Sequence, residues 1–297
     1  MTRIKPPPPG VYTNIPAHEY HAWDLPSQSS LKNILPPGTP QDYKHQQENP
    51  KLETADMILG HGIHSHILDD VPIEKFTIAP WKTACKAYHA FAGEHEGKHI
   101  ILEGQDEKLR EMRKAFDEHY FAPSLRKAAD HIEVSIVFEY AGLLMKARLD
   151  LCISKSGVVA DLKKTTEGGG HEDSFSGAVT EYGYHIQAAT YMQAATHIPD
   201  FVPEQFYFVT LEDGGTFKVN CLLMDDFDMQ LGRGQLLKAI DIYKDCTDTG
   251  IWSGYSTDRV QTARLRGWRR QKLITELDQY LTDIGVPAVD PDDQEFS

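Results

Sequence analysis

The order of hydrophobic periodicities predicts an α/β (α+β) fold, a central mixed β-sheet flanked by helices. Three observations carry this expectation. Period-two alternation is concentrated between residues 132 and 164. Residues 205–211, QFYFVTL, are almost all apolar or aromatic, as in a central strand buried on both faces. Segments with helical character stand before, between and after these strands, an order that packs helices on one sheet.

In chain order, residues 1–10 are a Pro-rich lead expected to be loosely ordered. Residues 11–28 carry few periodic signals and read as irregular. Ser29-Ser30-Leu31-Lys32 opens a short helix that Pro36-Pro37-Gly38 ends. Residues 55–68 form a helix with an apolar stripe at Ile58, Ile63 and Ile67. Residues 73–80 read as a strand, and 82–95, 106–119 and 123–129 as helices.

In residues 132–140, Ile132, Val134, Ile136 and Phe138 share one face. Glu133, Ser135 and Glu139 share the other, with Val137 an apolar exception. Two strands joined by a turn follow, over residues 145–164. On the first, Met145, Ala147, Leu149 and Leu151 point one way and Lys146, Arg148 and Asp150 the other. On the second, Asp161 and Lys163 oppose Val158, Ala160 and Leu162. A loop with Gly168-Gly169-Gly170 fills 165–177, and a single helix fills 178–197. Residues 216–223 pair with 205–211 across Asp213-Gly214-Gly215. A long helix over 226–245 is predicted despite Gly232 and Gly234. No internal repeat is visible.

The bulk numbers narrow the function classes. A chain of 297 residues, 40% hydrophobic and 25% charged, is of ordinary globular composition. The formal charge of −14 weighs against a generally basic nucleic-acid binder, although a local patch can hold phosphate on an acidic protein. Cys85, Cys152, Cys221 and Cys246 are scattered without a CxxC pair, which argues against a disulfide framework or a thiolate zinc site. No apolar run reaches membrane-spanning length, and MTRIKPPPPG does not read as a signal peptide. The expectation is a soluble cytoplasmic protein with no membrane association.

Five groups could carry chemistry. If the strands over 145–164 pair, Asp150, Asp161 and Lys163 meet on one side. Two carboxylates and an ammonium suit a divalent cation and an activated water for phosphodiester hydrolysis. The bland alternative is a solvated face with a weak ion pair. Gly60-x-x-x-His64 places an imidazole on the early helix, among 14 His in all. Gln187 and Tyr191, at i and i+4, share a helical face. Glu133 lies on the polar face of the strand before Asp150 and could reach the same cation, or be an exposed strand residue. Arg259, Arg264, Arg266, Arg269, Arg270 and Lys272, with Trp268 among them, could contact a nucleic-acid backbone or merely offset the acidic tail DPDDQEFS.

Taken in order, these features resemble the PD-(D/E)xK nuclease superfamily, and within it the RecE (exodeoxyribonuclease VIII) group of phage and prophage exonucleases. The resemblance rests on Gly60-x-x-x-His64, Glu133-Val134-Ser135 and Arg148-Leu149-Asp150. It continues through Asp161-Leu162-Lys163-Lys164-Thr165 and Gln187-x-x-x-Tyr191. Ser29-Ser30-Leu31-Lys32 and Trp252-Ser253-Gly254-Tyr255 also resemble that group's flanking sequence. The likeness spans residues 11–268. Leu149 stands where the family name has Pro, and the second acid is Asp161 rather than Glu.

The resemblance implies a single nuclease domain over 11–272, then a C-terminal helix and acidic tail over 273–297. It implies Mg²⁺ or Mn²⁺ held by Asp150, Asp161, His64 and the Leu162 carbonyl, with Lys163 assisting the attacking water. Glu133 supports the site, and Gln187 and Tyr191 position the DNA strand. Relatives digest double-stranded DNA ends 5′→3′, leave 3′ single strands for a RecT-like annealing partner, and form homo-oligomeric rings, trimeric or tetrameric. The setting is the cytoplasm of a bacterial host with a phage or prophage gene. An endonuclease or nickase of the same superfamily, or a silent DNA-binding protein with this fold, remain alternatives.

Overall fold

The computed structural model describes residues 3–95, 97–255, 260, 263–265 and 267–283. The first elements are β1 (Gly10–Tyr12), α1 (Ala17–Ala22), α2 (Gln28–Leu31), α3 (Pro40–Glu48) and α4 (Ala55–Ile63). Next come β2 (Thr77–Ala79), α5 (Lys86–Glu94), β3 (Ile100–Leu102), α6 (Gln105–Glu118) and α7 (Ala122–Ala128). The sheet strands β4 (His131–Tyr140), β5 (Leu143–Ile153) and β6 (Val158–Thr165) follow, then α8 (Glu172–Tyr182), α9 (Tyr184–Ala195), β7 (Gln205–Glu212), β8 (Val219–Leu223) and α10 (Asp226–Thr249).

The strands build one six-stranded sheet in the order β1-β4-β5-β6-β7-β8. Only β6 and β7 run parallel; every other neighbouring pair is antiparallel. This is the mixed sheet flanked by helices that the periodicities predict. β2 and β3 pair separately and in parallel.

Two apolar layers cover the sheet. One gathers Val134, Ile136, Phe138, Phe206 and Phe208 with residues of α9 and α10. The other gathers Ala160, Leu162, Val209 and Leu211 with residues of α4, α6 and α7. A small third cluster, Tyr20, Trp23 and Val137, explains the one apolar residue on the polar side of β4.

Several boundaries differ from the sequence reading. Residues 11–28 include β1 and α1, elements too short to show a period. The helix expected over 178–197 is two, because Gly183 adopts φ +66 and ends α8. α10 runs unbroken through Gly232, where a Cβ would lie 2.3 Å from the His185 carbonyl oxygen. That glycine lets α9 and α10 approach closely.

The face assignments also need correcting. Ile132 does not share a layer with Val134, nor Leu151 with Leu149: Leu151 is a member of the α4/α6/α7 layer and Ile132 packs against it. The switch occurs where Glu133 and Asp150 would face each other, the one position missing from an otherwise continuous β4–β5 register. Glu133 has φ +49, a left-handed conformation that costs a non-glycine residue about 1–3 kcal/mol.

The β5–β6 ladder stops at the same level. It pairs Leu151 with Ala160, Cys152 with Val159 and Ile153 with Val158, and goes no further. The sheet is therefore split between Asp150 and Asp161.

Contacts divide the chain into two compact units, Met1–Gly254 and Tyr255–Ser297. The second includes α11 (Gly267–Asp283), which begins within the basic cluster. Arg259, Arg266 and the tail DPDDQEFS lie outside the described residues. Among the described residues, no helix is long and apolar enough to cross a membrane.

Candidate active site and metal centre

The split in the sheet brings together side chains that secondary structure alone would keep apart. On β5, the Asp150 carboxylate takes the place of a missing ladder bond: its Oδ2 accepts the Leu162 N–H at 2.8 Å. From the α4 side comes His64, where the helix widens into a π-turn over His64–Leu68. Such turns re-aim side chains and recur at functional sites. From β4 comes Glu133.

These three form a compact set. His64 Nδ1 lies 2.8 Å from Glu133 Oε1, and its Nε2 lies 3.7 Å from Asp150 Oδ2. One ligand atom from each of His64, Glu133 and Asp150 fits within a 4.8 Å group that could hold a metal ion. Glu133 also accepts from Arg148 Nε, whose guanidinium donates to the Ile15 carbonyl at 2.8 Å.

Asp161 and Lys163 project toward α9, as alternation predicts. Lys163 Nζ is ion-paired with Asp161 Oδ2 and sits 4.9 Å from the centre of the Tyr184 ring. Gln187 Nε2 donates to Asp161 Oδ1 at 2.8 Å. Gln187 is thus engaged with a carboxylate of the chain itself. Tyr191, one turn on, lines the cavity in front of Asp150.

That cavity has a volume of about 820 Å³ and is bounded by His64, Glu133, Arg148, Asp150, Leu162 and Tyr191 on the sheet side. The segment before α2 forms the opposite wall. Gly60 lines it one turn before His64, and a Cβ there would meet nothing within 4 Å, so the glycine leaves the approach to the imidazole open.

Charge is displaced strongly within this group, a common mark of functional sites. Burial pushes the Asp150 carboxyl up to about 7, helped by Asp161 and Glu133 and opposed by His64 and Lys163. Burial works against a charged His64, but the Asp150 and Glu133 carboxylates outweigh it and raise the imidazole to about 10. Burial likewise opposes ionised Glu133, yet His64 and Arg148 hold it well below the usual carboxylate range. Lys163 is raised despite burial, because Asp161 and Asp150 face it.

The donor set suits a hard divalent cation: carboxylate oxygens with one imidazole. Asp161 Oδ2 is buried and ion-paired with Lys163.

A family profile described as "PDDEXK-like domain of unknown function (DUF3799)" matches residues 27–265. The chain belongs to this family. The PDDEXK-like domain is also similar in fold to the crystal structure of a "putative exonuclease" from Eubacterium rectale. That likeness has a TM-score of 0.59 at 14% identity and covers 86% of this chain and 97% of the other. No curated protein gives a significant match. Family and fold together support a nuclease.

Within this PDDEXK-like domain, the residues singled out from the sequence converge, but their grouping differs. Glu133 rather than Asp161 joins His64 and Asp150 in the three-residue set. Arg148, Tyr184 and Lys146 were not singled out as site residues. Lys146 Nζ donates to the Tyr20, His21 and Trp23 carbonyls at 2.9, 3.2 and 2.7 Å, fixing the end of α1 at the cavity wall. The signal for Arg148 was available, since Glu133 and Arg148 are diagonal neighbours on the polar sides of paired strands.

Proposed function

We propose that the protein is a Mg²⁺- or Mn²⁺-dependent DNA exonuclease of the RecE-like kind, acting 5′→3′ on double-stranded ends and leaving 3′ single strands for recombination. The observation that carries this reading is the convergence of His64, Glu133 and Asp150 on one cavity, with the Asp161–Lys163 pair across the split between β5 and β6. Assembly as a ring and hand-over to an annealing partner belong to the same proposal, as do a phage or prophage origin and a cytoplasmic setting.

Asp150, Asp161 and His64 Nε2 would hold the cation, with the Leu162 carbonyl as a further candidate ligand. When bound, a divalent ion supplies Lewis-acid polarisation of the phosphate and lowers the pKa of water. The chain's own residues do the rest. Glu133 takes the His64 Nδ1 proton in a hydrogen bond, which turns Nε2 toward Asp150 and orients the ring for ligation. Gln187 holds one oxygen of Asp161, and the other is paired with Lys163. Lys163 remains an ammonium, so it stabilises charge developing on the phosphate rather than removing a proton. Tyr191 narrows the cavity beside Asp150.

Linear duplex labelled at its 5′ ends tests the reading. With Mg²⁺, wild-type protein is expected to release label and leave the 3′ strand; intact substrate sinks the assignment. Digestion of covalently closed circles would instead favour an endonuclease.

A further inference from the structure

Beside the catalytic cavity lies a second cleft of about 280 Å³ that the nuclease chemistry does not use. Its floor is aromatic. The Trp252 indole stacks on Tyr43 at 5.4 Å with an 11° interplanar angle, and Tyr243 meets both rings edge-on at 5.9 and 5.6 Å. Tyr43 is buried, so the stack has a rigid backing. The backbone holds it too: Gln41 N–H donates to the Ser253 carbonyl at 3.1 Å. Gly254 presses so closely on Gln41 that a Cβ would lie 2.3 Å from its Oε1.

Tyr43 occupies one face of Trp252. The Lys44 ammonium also lies over the indole, 5.7 Å from the ring centre. Lys44 is in turn 3.6 Å from Glu48, an exposed i,i+4 pair of the kind that contributes little and exchanges readily. Arg3, Gln47 and Glu48 line both this cleft and the catalytic cavity, so the two are adjacent.

We infer that this cleft is a stacking subsite for one unpaired nucleobase of the strand whose backbone lies in the catalytic cavity. The inference rests on the nuclease reading and extends it to how the strand is gripped. A flat indole with cations beside it is the arrangement that holds single strands without regard to sequence. A base would replace Lys44 on the indole, and the released ammonium would turn to an adjacent phosphate. A base inside a duplex has both faces covered by its neighbours, so the base that stacks on the indole is an unpaired one.

Full-length protein with Ca²⁺ in place of Mg²⁺, and a single-stranded oligonucleotide in which one abasic site is stepped along the chain, provides the test. At one position the abasic site is expected to weaken wild-type binding about tenfold. Trp252→Ala should lose the same affinity and become insensitive to that position, while Trp252→Phe retains most of it. Lys44→Ala should lower the salt dependence by about one ion. Equal abasic penalties in wild type and Trp252→Ala at every position overturn the subsite. Should Trp252→Ala fail to fold, 5-iodouracil walked along the same oligonucleotide decides: a photocrosslink to Trp252 supports the subsite and its absence at all positions overturns it. Mg²⁺-dependent cleavage by the same wild-type preparation separates the two readings. Cleavage without coupling overturns the subsite alone, and coupling without cleavage supports the subsite and overturns the nuclease assignment.

Discussion

The two sides of the split sheet hold charge in opposite ways. On the α4 side, His64 and Asp150 are both displaced far from their ordinary pKa values, and a proton sits where a cation would bind. On the α9 side, Asp161 already has an ammonium and an amide donor, and Lys163 has a carboxylate and an aromatic ring. The first side is short of positive charge; the second is arranged to keep one positive charge in place. The difference assigns ligand capture mainly to one side and charge stabilisation to the other.

The largest expected break in that contrast is Asp150→Asn. It leaves an oxygen to accept the Leu162 N–H but removes the carboxylate that faces both sides. Cleavage should fall by at least about 10²–10³-fold, Mn²⁺ binding followed by calorimetry should be lost, and the metal-free protein should melt no lower than wild type, because a buried charge has gone. Lys163→Ala should lower the cleavage rate by a similar factor of about 10²–10³ yet keep Mn²⁺ affinity within a few fold. Loss of metal binding in that variant would show that the two sides do not divide the work.

Glu133→Gln gives a smaller effect. The amide cannot hold the His64 Nδ1 proton as a carboxylate does, and metal affinity should drop about 10–100-fold. A titration of Mn²⁺ affinity against Glu133→Gln measures this, and an unchanged affinity would leave Glu133 with a purely structural pairing to Arg148.

The pH dependence sharpens the same comparison. His64 is raised from 6.5 to about 10, so its contribution to stability is complete below pH 6.5 and is lost as pH rises toward 10. Asp150 is raised from 3.8 to about 7, so the folded state binds the extra proton and stability also declines as pH climbs from about 4 to 7. Without divalent cation the Tm should therefore fall between pH 6 and 9. Saturating Mg²⁺ should flatten or reverse the slope, because cation and protons compete for the same atoms, and calorimetry in buffers of different ionisation enthalpy should detect proton release on binding.

The smallest effect is at Gly60. Gly60→Ala should raise stability by about 0.5–1 kcal/mol, since the glycine is helical and its Cβ position is free. Gly60→Leu should instead obstruct the cavity and weaken substrate binding, measured as a higher KM with the metal affinity unchanged.

Much of this arrangement was legible from local pattern. Asp161 and Lys163 are two residues apart on a strand, and Gln187 and Tyr191 four apart on a helix, so geometry places each pair together wherever the element sits. The polar and apolar faces of β4 and β5 were legible as far as Val134 and Leu149. Beyond them the pattern misleads, because a left-handed residue at Glu133 shifts the phase and no alternation rule anticipates it. β1, β2 and β3 are three residues each, shorter than any window that can show a period. The break at Gly183 hides in an Ala- and Tyr-rich stretch whose helical signal runs straight through it.

From the sequence alone came the mixed sheet, its flanking helices and the identities of the acids, the lysine and the histidine, because periodicity and residue chemistry are local properties. The tertiary structure decided their grouping. It stops the β5–β6 ladder at Leu151 and Ala160, lets Asp150 take over the Leu162 N–H, and brings His64 from one layer to Asp150 and Gln187 from the other to Asp161. Which backbone bonds are left unmade depends on packing from both faces at once, and no single stretch of chain contains that information.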